Sequence, residues 1–367
     1  MFDRRLAENF EWLVLLVVLS LCTVGIMTIF SAVVEHPDNY MQNLYFKQII
    51  WIGIGLAAMT GCFIVSYKQV DRYAILIYLL CILLLLLVLM LGRYVAGSRR
   101  WLVLGPLSLQ PSELVKVAVV IMLARYYAQH VSTDGLTFRE LLIPAFIVFL
   151  PCVLILKQPD LGTAGVIILI AGTMTIFVKI EKKTLLSLLL MVLLAVPAAW
   201  FSLKGYQKQR IITFLNPEED PLGAGYHIIQ SKIAIGSGMV HGKGFRSGTQ
   251  NALSFLPEQH TDFIFSVLSE EWGFIGGGLV LLLFLVVILR GLNIAYGCKD
   301  PFGTILSVGI TALIFWEVFI NIGMVMGLMP VVGVPLPFIS YGGSSSITML
   351  VGTGLLLNVG MRRFLFE

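Results

Sequence analysis

Charge is scarce in this chain. Charged residues make up 13% of its 367 residues, whereas hydrophobic residues make up 58%. A soluble domain of this length does not have such a composition, but a chain that threads a membrane does. The formal net charge of +4 is small, and no stretch interleaves basic with aromatic residues as nucleic-acid-binding segments do. The composition therefore predicts an integral membrane protein, in contact with the lipid bilayer, that does not bind nucleic acid.

Cysteine is also sparse, and a cleavage signal is lacking. The N-terminal Met-Phe-Asp-Arg-Arg leads into a full-length apolar run without a small-residue cleavage site, which predicts a first membrane helix rather than a removed signal peptide. The five cysteines show no zinc-site spacing and suggest no disulfide framework, so we interpret them as small core residues: Cys22, Cys62, Cys81, Cys152 and Cys298.

Long apolar runs are what the chain has in abundance. A bilayer core needs about 20 apolar residues per helix. Ten runs qualify, and they predict an all-α polytopic membrane protein forming a single integral membrane domain over residues 1–367. The spans lie at roughly 11–33, 48–66, 73–92, 113–128, 139–157, 161–179, 184–202, 263–290, 303–328 and 343–361.

An even number of spans places both termini on one side, and the excess of Lys and Arg in short loops predicts that this side is the cytoplasm. Residues 203–262 then form a large extracytoplasmic loop between the seventh and eighth spans. Within it, residues 228–235 have apolar positions at helical spacing but are too few to span, so we predict short interfacial or re-entrant helices there.

Basic residues collect on the predicted outer side, against the usual bias. One interpretation is a site for an anionic partner such as a pyrophosphate, and for Lys204 and Lys208 the alternative is simple solvation. The outer basic residues are Arg93, Arg99, Arg100, Lys204, Lys208, Arg210, Lys232, Lys243 and Arg246.

Asp262 stands at the outer mouth of the eighth span, with Glu258 and His260 beside it. A carboxylate there either caps the helix or performs chemistry on a membrane-bound substrate. Spacing alone favours the cap, and the charges around the same mouth shift the balance towards chemistry. Glu270 and Glu271 lie about two turns deeper, where we expect them to pair with a basic residue.

A polar pair and a single carboxylate also lie in or beside apolar runs. Glu113 and Lys116 share a helix face, either as an ion pair or as a polar cavity wall offering Lys116 to an anionic headgroup. Asp160 either caps a helix or serves at the outer rim as a cation ligand or as the partner of a basic residue. One carboxylate is too few for a metal site on its own, but a divalent ion bound with a phosphate needs only one or two.

Helix breakers interrupt the chain near the end of the ninth span. Residues 330–346 contain three prolines and repeated glycines within an apolar run. Such backbone survives at membrane depth only when it is buried in protein or lines a cavity. Just before it, Glu317 and Asn321 lie four apart, and we predict hydrogen bonds from them within or between helices as scaffolding.

Taken together, these segments resemble the SEDS family (shape, elongation, division and sporulation) of membrane peptidoglycan glycosyltransferases. The resemblance covers essentially the whole chain, and the 242–262 region is more similar to elongation than to division members. It rests on Gln-Pro-Ser-Glu-Leu-Val-Lys at 110–116, Gln-Pro-Asp-Leu-Gly-Thr at 158–163, and the segments 225–238, 255–265 and 330–346.

The resemblance implies a SEDS fold and a polymerase that joins lipid II units on the outer face of the cytoplasmic membrane. It implies that Asp262 is the essential carboxylate and that Glu113, Lys116 and Asp160 serve function. It also implies a class B penicillin-binding protein as partner, with other membrane proteins of the elongation machinery. We expect no organic cofactor, while a divalent cation, Mg²⁺ or Mn²⁺, has a place near Asp160.

The chemistry agrees with these residues. Forming a β-1,4 bond from an α-linked sugar pyrophosphate inverts the anomeric carbon, so one general base and cationic stabilisation of the leaving diphosphate suffice. We expect Asp262 to be the base. Two other functions stay open. A lipid flippase or transporter would use the same cavity and its charges but needs no base, and a non-enzymatic scaffold needs neither the cavity nor the base. We expect the substrate cavity to involve Glu113, Lys116, Asp160, Arg99, Arg100, Lys232, Lys243, Glu258 and His260.

Overall fold

The computed structural model describes residues 8–34, 39–95, 98–104, 107–130, 135–202, 205–217, 223–249 and 259–363. Ten of its helices coincide with the ten predicted spans, and two shorter helices, α8 and α9 in the numbering that follows, lie between the seventh and eighth spans. In chain order the helices are α1 (Trp12–Val33), α2 (Leu44–Ile64), α3 (Tyr67–Leu91), α4 (Pro111–His130), α5 (Leu142–Lys157), α6 (Leu161–Phe177), α7 (Lys182–Ser202), α8 (Gly205–Leu215), α9 (Ala224–Ser237), α10 (Ile264–Gly297), α11 (Pro301–Val325) and α12 (Gly343–Arg362), with one further turn at Asn39–Gln42.

Length and composition make most of these helices membrane spans. Within the described residues, six are long and apolar enough to cross a bilayer, namely α1, α2, α3, α10, α11 and α12, and α5 and α6 are apolar but shorter. Helices α4 and α7 have 20 and 21 residues and carry charges within or at the start of the helix. The predicted all-α polytopic membrane protein is confirmed.

The centre of the bundle is formed by α4, α11 and α12. In the most apolar stretches of α11 and α12, 78% and 89% of the residues are buried, against 22% in α2. Helix α12 packs along α2, α10 along α11, and α4 against both α3 and α11. Polar side chains on these central helices are therefore screened from lipid by neighbouring helices, which is where a membrane protein tolerates them.

A small antiparallel sheet lies between α3 and α4. Its strands are β1 (Arg93–Val95), β2 (Ser98–Leu104) and β3 (Leu107–Leu109), in the order β1-β2-β3. It contacts α3, α4 and the start of α12. The predicted spans leave this segment as an outer loop, so the sheet was not predicted. The apolar run Trp-Leu-Val-Leu followed by Gly-Pro is the hairpin signal for it in the sequence.

Helix α10 is broken at Gly273, whose φ is +65°. The loop 239–244 supplies hydrogen-bond partners to backbone groups released by the break, as buried peptide groups require. Four hydrogen bonds do this: Lys243 N to Glu270 O (3.0 Å), Gly244 N to Glu271 O (3.0 Å), Phe274 N to Met239 O (2.8 Å) and Ile275 N to Val240 O (3.1 Å).

No helix or strand occupies residues 327–342, as the prolines and glycines predicted. This irregular segment, called the crossover segment below, packs closely against α1. A Cβ atom added at Gly25 of α1 would lie 2.7 Å from the Cα of Ile339. The irregular backbone is thus covered by protein, which is the condition for its presence at membrane depth.

Candidate active site

Asp262 lies in the turn 259–263 that leads into α10. The N-cap residue of α10 is Phe263, and it makes no side-chain capping bond. The N-cap position of α10 therefore belongs to Phe263 and not to Asp262. The residue is half-buried, and its Oδ2 faces the crossover segment, 3.3 Å from where a Cβ atom at Gly333 would stand.

Asn321 of α11 holds the backbone of Asp262. Its Nδ2 donates to the carbonyl oxygens of Asp262 (3.0 Å) and Val334 (2.7 Å). Asn321 is fully buried. One amide thus ties the carboxylate-bearing turn to the crossover segment. From the sequence, Asn321 is predicted to form scaffolding hydrogen bonds. The signal for its importance is that Asn321 is a polar residue within an apolar span, four residues after Glu317.

The rest of the turn is fastened to the crossover segment as well. The hydroxyl of Ser340 donates to the carbonyl of Thr261 (2.7 Å), and the Tyr341 N–H donates to the carbonyl of His260 (2.9 Å). The His260 ring is buried and stands 5.8 Å from the Tyr341 ring, centroid to centroid. His260 therefore lies beside Asp262 within a turn fixed at several points.

Asp160 is the N-cap of α6. Its carboxylate accepts hydrogen bonds from the Thr163 N–H (3.2 Å) and the Thr163 hydroxyl (2.9 Å). The capping interpretation of Asp160 is confirmed. The next turn touches the crossover segment, since a Cβ atom at Gly162 would lie 2.6 Å from the carbonyl oxygen of Val332. The crossover segment is therefore bordered by the Asp160 turn and by the Asp262 turn.

Arg100, on β2, supports the Asp160 turn. Its Nε donates to the carbonyl of Gln158 (3.1 Å), and its other guanidinium nitrogen donates to the carbonyl of Pro159. Arg99 precedes it on the strand and is exposed. Neighbouring strand residues point to opposite faces, which separates the two guanidinium groups. Arg100 is engaged with backbone, whereas Arg99 reaches the surface.

Lys116 forms a buried triad with two carboxylates. Its Nζ lies 2.8 Å from Glu113 of the same helix and also contacts Glu317 of α11. Lys116 is 1% exposed. The predicted ion pair between Glu113 and Lys116 is confirmed. Glu317, which was expected to form only scaffolding hydrogen bonds, also contacts Lys116. Glu317 lies about 6 Å along α11 from Asn321, which connects the triad to the Asp262 turn.

Lys243 contacts α10 beside its break. Its Nζ lies 2.7 Å from Glu270 and 2.7 Å from the Thr249 hydroxyl. The predicted pairing of Glu270 with a basic residue is confirmed. Glu271 accepts a hydrogen bond from the hydroxyl of Ser31 on α1, and its pairing with a basic residue stays a prediction. Lys243 fastens the loop 239–244 to α10, so binding a diphosphate would require it to leave Glu270.

Lys232 is exposed on α9. Its stem packs over the end of α11, where a Cβ atom at Gly327 would be 2.2 Å from the Lys232 Cε. The Ser231 hydroxyl beside it donates to the carbonyl of Val325 (2.7 Å). Glu258, the remaining predicted cavity residue, lies outside the described residues. The other predicted residues that the structure describes form three groups: the turns beside the crossover segment, the Lys116 triad and the Lys243 contact. Arg99 and Lys232 lie at the surface outside these groups.

The family described as Cell cycle protein (FTSW_RODA_SPOVE) matches residues 11–364. This chain belongs to the FtsW/RodA/SpoVE family. That membership confirms the resemblance to the SEDS proteins inferred from the sequence motifs.

Curated relatives of this family match almost end to end. Peptidoglycan glycosyltransferase MrdB of Escherichia coli (strain K12) is 41% identical over 351 residues, covering 95% of this chain and 93% of that protein. Peptidoglycan glycosyltransferase RodA of Treponema pallidum is 34% identical, covering 98% and 99%. Stage V sporulation protein E of Bacillus subtilis is 40% identical, covering 95% and 96%.

Solved structures of the FtsW/RodA/SpoVE fold are also similar. A chain of a peptidoglycan synthase complex that coordinates polymerization and crosslinking has a TM-score of 0.82 and 31% identity, with 97% of this chain and 98% of that chain covered. The rod shape determining protein RodA of Thermus thermophilus has a TM-score of 0.70 and 28% identity, with the same coverage.

Proposed function

We propose that this protein polymerises lipid II into glycan strands for cell elongation, with Asp262 as the general base. The broader statement follows from the family: the chain is a peptidoglycan glycosyltransferase of the RodA type and a multi-pass protein of the bacterial cytoplasmic membrane. The identity of the substrate, the site residues and the orientation in the membrane belong to the proposal.

The observation that carries the proposal is the setting of Asp262. Its carboxylate is half-buried and does not belong to the N-cap residue of α10, while Asn321 holds its backbone on the crossover segment. Asn321 fixes the turn that bears this carboxylate, and a fixed geometry is what general-base catalysis requires.

In the proposed reaction, Asp262 takes the proton of the acceptor 4-hydroxyl. That oxygen forms the new bond to the anomeric carbon of the donor, and the bond from this carbon to the diphosphate oxygen breaks. Inversion gives the β-1,4 linkage, and undecaprenyl pyrophosphate leaves. A positioned general base contributes about 10²–10⁴-fold to such a step.

Cations stabilise the leaving diphosphate in this proposal. Arg99 and Lys232 are exposed. Because an exposed cation can reach a ligand at the surface, we assign the first contact with the diphosphate to these two residues. No group of three or more His, Cys, Asp or Glu side chains converges among the described residues. An Mg²⁺ or Mn²⁺ ion near Asp160 would find one carboxylate there and take its other ligands from diphosphate and water.

The partner in this proposal is a class B penicillin-binding protein that crosslinks the strands, together with other membrane proteins of the elongation machinery. Support comes from the similar chain solved within a peptidoglycan synthase complex. Both termini are assigned to the cytoplasm and residues 203–262 to the outer side, as the distribution of Lys and Arg favours.

The test is polymerisation of purified lipid II by this protein together with its penicillin-binding partner. We expect long glycan strands from the wild type and a loss of at least about 10²-fold for Asp262→Asn and Asp262→Ala. Asp300→Asn is the matched control. Asp300 caps α11 by accepting a hydrogen bond from Gly303 N (3.0 Å). The side-chain oxygen of Asn can accept the same bond, so Asp300→Asn should leave both the melting temperature and polymerisation nearly unchanged.

Other outcomes favour other functions. If Asp262→Asn polymerises as the wild type does, Asp262 is not the base. If neither protein makes strands while both translocate lipid II across vesicles, the protein is a flippase. If cells carrying Asp262→Ala keep their rod shape and the purified proteins neither polymerise nor translocate, the protein is a scaffold.

A further inference from the structure

An apolar cavity lies between α4, α5, α6 and α7, away from Asp262 and the crossover segment. Its volume is about 550 Å³, in the size range of small-molecule sites. Its lining includes Phe149 of α5, Ile168 and Gly172 of α6, and Leu185 and Leu189 of α7. Neither the proposed reaction nor the family assigns it a role.

One end of the cavity is bounded by two short loops that are joined to each other. Leu136 and Ile180 form a parallel bridge between the loops. The Leu136 N–H donates to the carbonyl of Lys179 (3.1 Å), and the Glu181 N–H donates to the carbonyl of Leu136 (3.2 Å). Because Leu141, Ile180 and Leu185 line the cavity, these loops form its rim.

The rim is positively charged. Arg139, Lys179, Lys182 and Lys183 are all exposed, whereas the carboxylates among the described residues of the same loops are Glu140 and Glu181. Asp134, the third carboxylate of these loops in the sequence, lies outside the described residues. The backbone N–H of Thr137 (2.7 Å) and its hydroxyl (2.8 Å) donate to Glu140 and hold the pKa of its carboxyl below the usual value. Cations therefore outnumber carboxylates at the mouth of the cavity.

The cavity has the depth of one leaflet. Its lining on α5 and just before it runs from Leu141 to Cys152, which is about 16 Å at 1.5 Å per residue. Half of a bilayer core of about 30 Å is about 15 Å. Lys182 lies three residues before Leu185 and shares its helix face, so an ammonium group stands at the rim above the apolar wall.

We propose that this cavity binds one acyl chain of an anionic phospholipid, whose phosphate lies against Lys182 and Lys183. The apolar lining matches the chain, the depth matches a single leaflet, and the cationic rim matches the phosphate. Basic pockets between membrane helices bind anionic headgroups in this way. The site is independent of the proposed polymerase activity.

Native mass spectrometry of the purified full-length protein tests the proposal, with phosphatidylglycerol and phosphatidylcholine of equal chain length. We expect about tenfold stronger retention of phosphatidylglycerol, as one charge-assisted contact of about 1.4 kcal/mol corresponds to tenfold. Lys182→Gln/Lys183→Gln should abolish the preference. Lys68→Gln/Arg72→Gln, the same charge change at the α2–α3 turn, should retain it.

Filling the cavity tests the acyl-chain part. A Cβ atom at Gly172 meets nothing within 4 Å, so Gly172→Leu enters open space and should reduce the retention of both lipids. Gly165→Leu is the matched control, because Gly165 lies seven residues earlier on α6, has the same open surroundings and does not line the cavity.

Four results would overturn the proposal. The first is equal retention of the two lipids by the wild type. The second is equal loss in Gly172→Leu and Gly165→Leu. The third is competition by inorganic phosphate alone as strong as that by phosphatidylglycerol, which would identify a simple anion site. The fourth is weaker binding of the penicillin-binding partner by Gly172→Leu with lipid retention intact, which would identify a protein interface.

Discussion

At the scale of single residues, buried amides organise this protein as much as its charges do. Asn321 joins α11 to the Asp262 turn and to Val334. Asn358 does the same on α12, where its Nδ2 donates to the carbonyls of Cys62 and Val65 between α2 and α3. The two amides have the same chemistry, but only Asn321 adjoins the proposed base.

Replacing Asn321 tests its positioning role. Asn321→Asp keeps the shape but removes both N–H donors, and each buried acceptor left unpaired costs about 1–3 kcal/mol. We expect at least tenfold lower kcat for lipid II polymerisation with little change in KM. Asn358→Asp should cost similar stability, yet keep polymerisation per folded molecule. Equal catalytic losses in the two variants, measured with their melting temperatures, would argue against positioning.

The Lys116 triad is held by charges rather than by an amide, since two carboxylates share one ammonium group in the centre of the bundle. Lys116→Met leaves both carboxylates without their cation, and breaking a buried pair costs about 3–5 kcal/mol. We expect a strongly lowered melting temperature. Adding Glu113→Gln and Glu317→Gln to Lys116→Met should recover much of it. A single variant that melts like the wild type would show that the triad does not stabilise the bundle.

At the scale of elements, the break in α10 and the loop 239–244 form one unit. The loop approaches so closely that only glycine fits at its contact with the break. At Gly242, φ is +78° and an added Cβ would lie 2.1 Å from the carbonyl oxygen of Glu271. This unit also carries the Lys243–Glu270 ion pair, so the break, the loop and the charge pair depend on one another.

Gly242→Ala should disrupt this unit. Backbone strain alone costs about 1–3 kcal/mol, and the clash with backbone adds to it. We expect a clearly lower melting temperature and faster proteolysis in the loop. Gly236→Ala, on α9, meets nothing within 4 Å and should melt as the wild type does. A Gly242→Ala protein as stable as the Gly236→Ala protein would show that the loop does not dock as described.

At the scale of the whole molecule, labelling of single cysteines shows on which side of the membrane each loop lies. Met239→Cys, at a position 79% exposed in the predicted outer loop, should react with a membrane-impermeant thiol reagent added to intact spheroplasts. Gln69→Cys, exposed at the predicted inner α2–α3 turn, should react only after lysis. Four of the five native cysteines are buried, so background labelling should be low. The reverse pattern would invert the topology.

Much of the architecture was predictable because it is local. Each span is a run of apolar residues, so ten helices appeared where ten were expected. The Glu113–Lys116 pair and the Asp160 cap join residues three apart, within reach of one helical turn. The small sheet also pairs residues that are close in sequence, and a hairpin signal was present. It was predicted as a loop because it lies between two long apolar runs that were assigned as spans.

The sequence by itself determined the membrane class, the ten helices and the motif pattern of the family, because hydrophobic run length and short-range spacing are properties of neighbouring residues. Only the tertiary structure decided that Glu317 meets Lys116, that Asn321 holds Asp262, and that a loop seals the break at Gly273. These contacts join residues far apart in the chain, and the packing of helices chooses among many such pairings that the sequence allows equally.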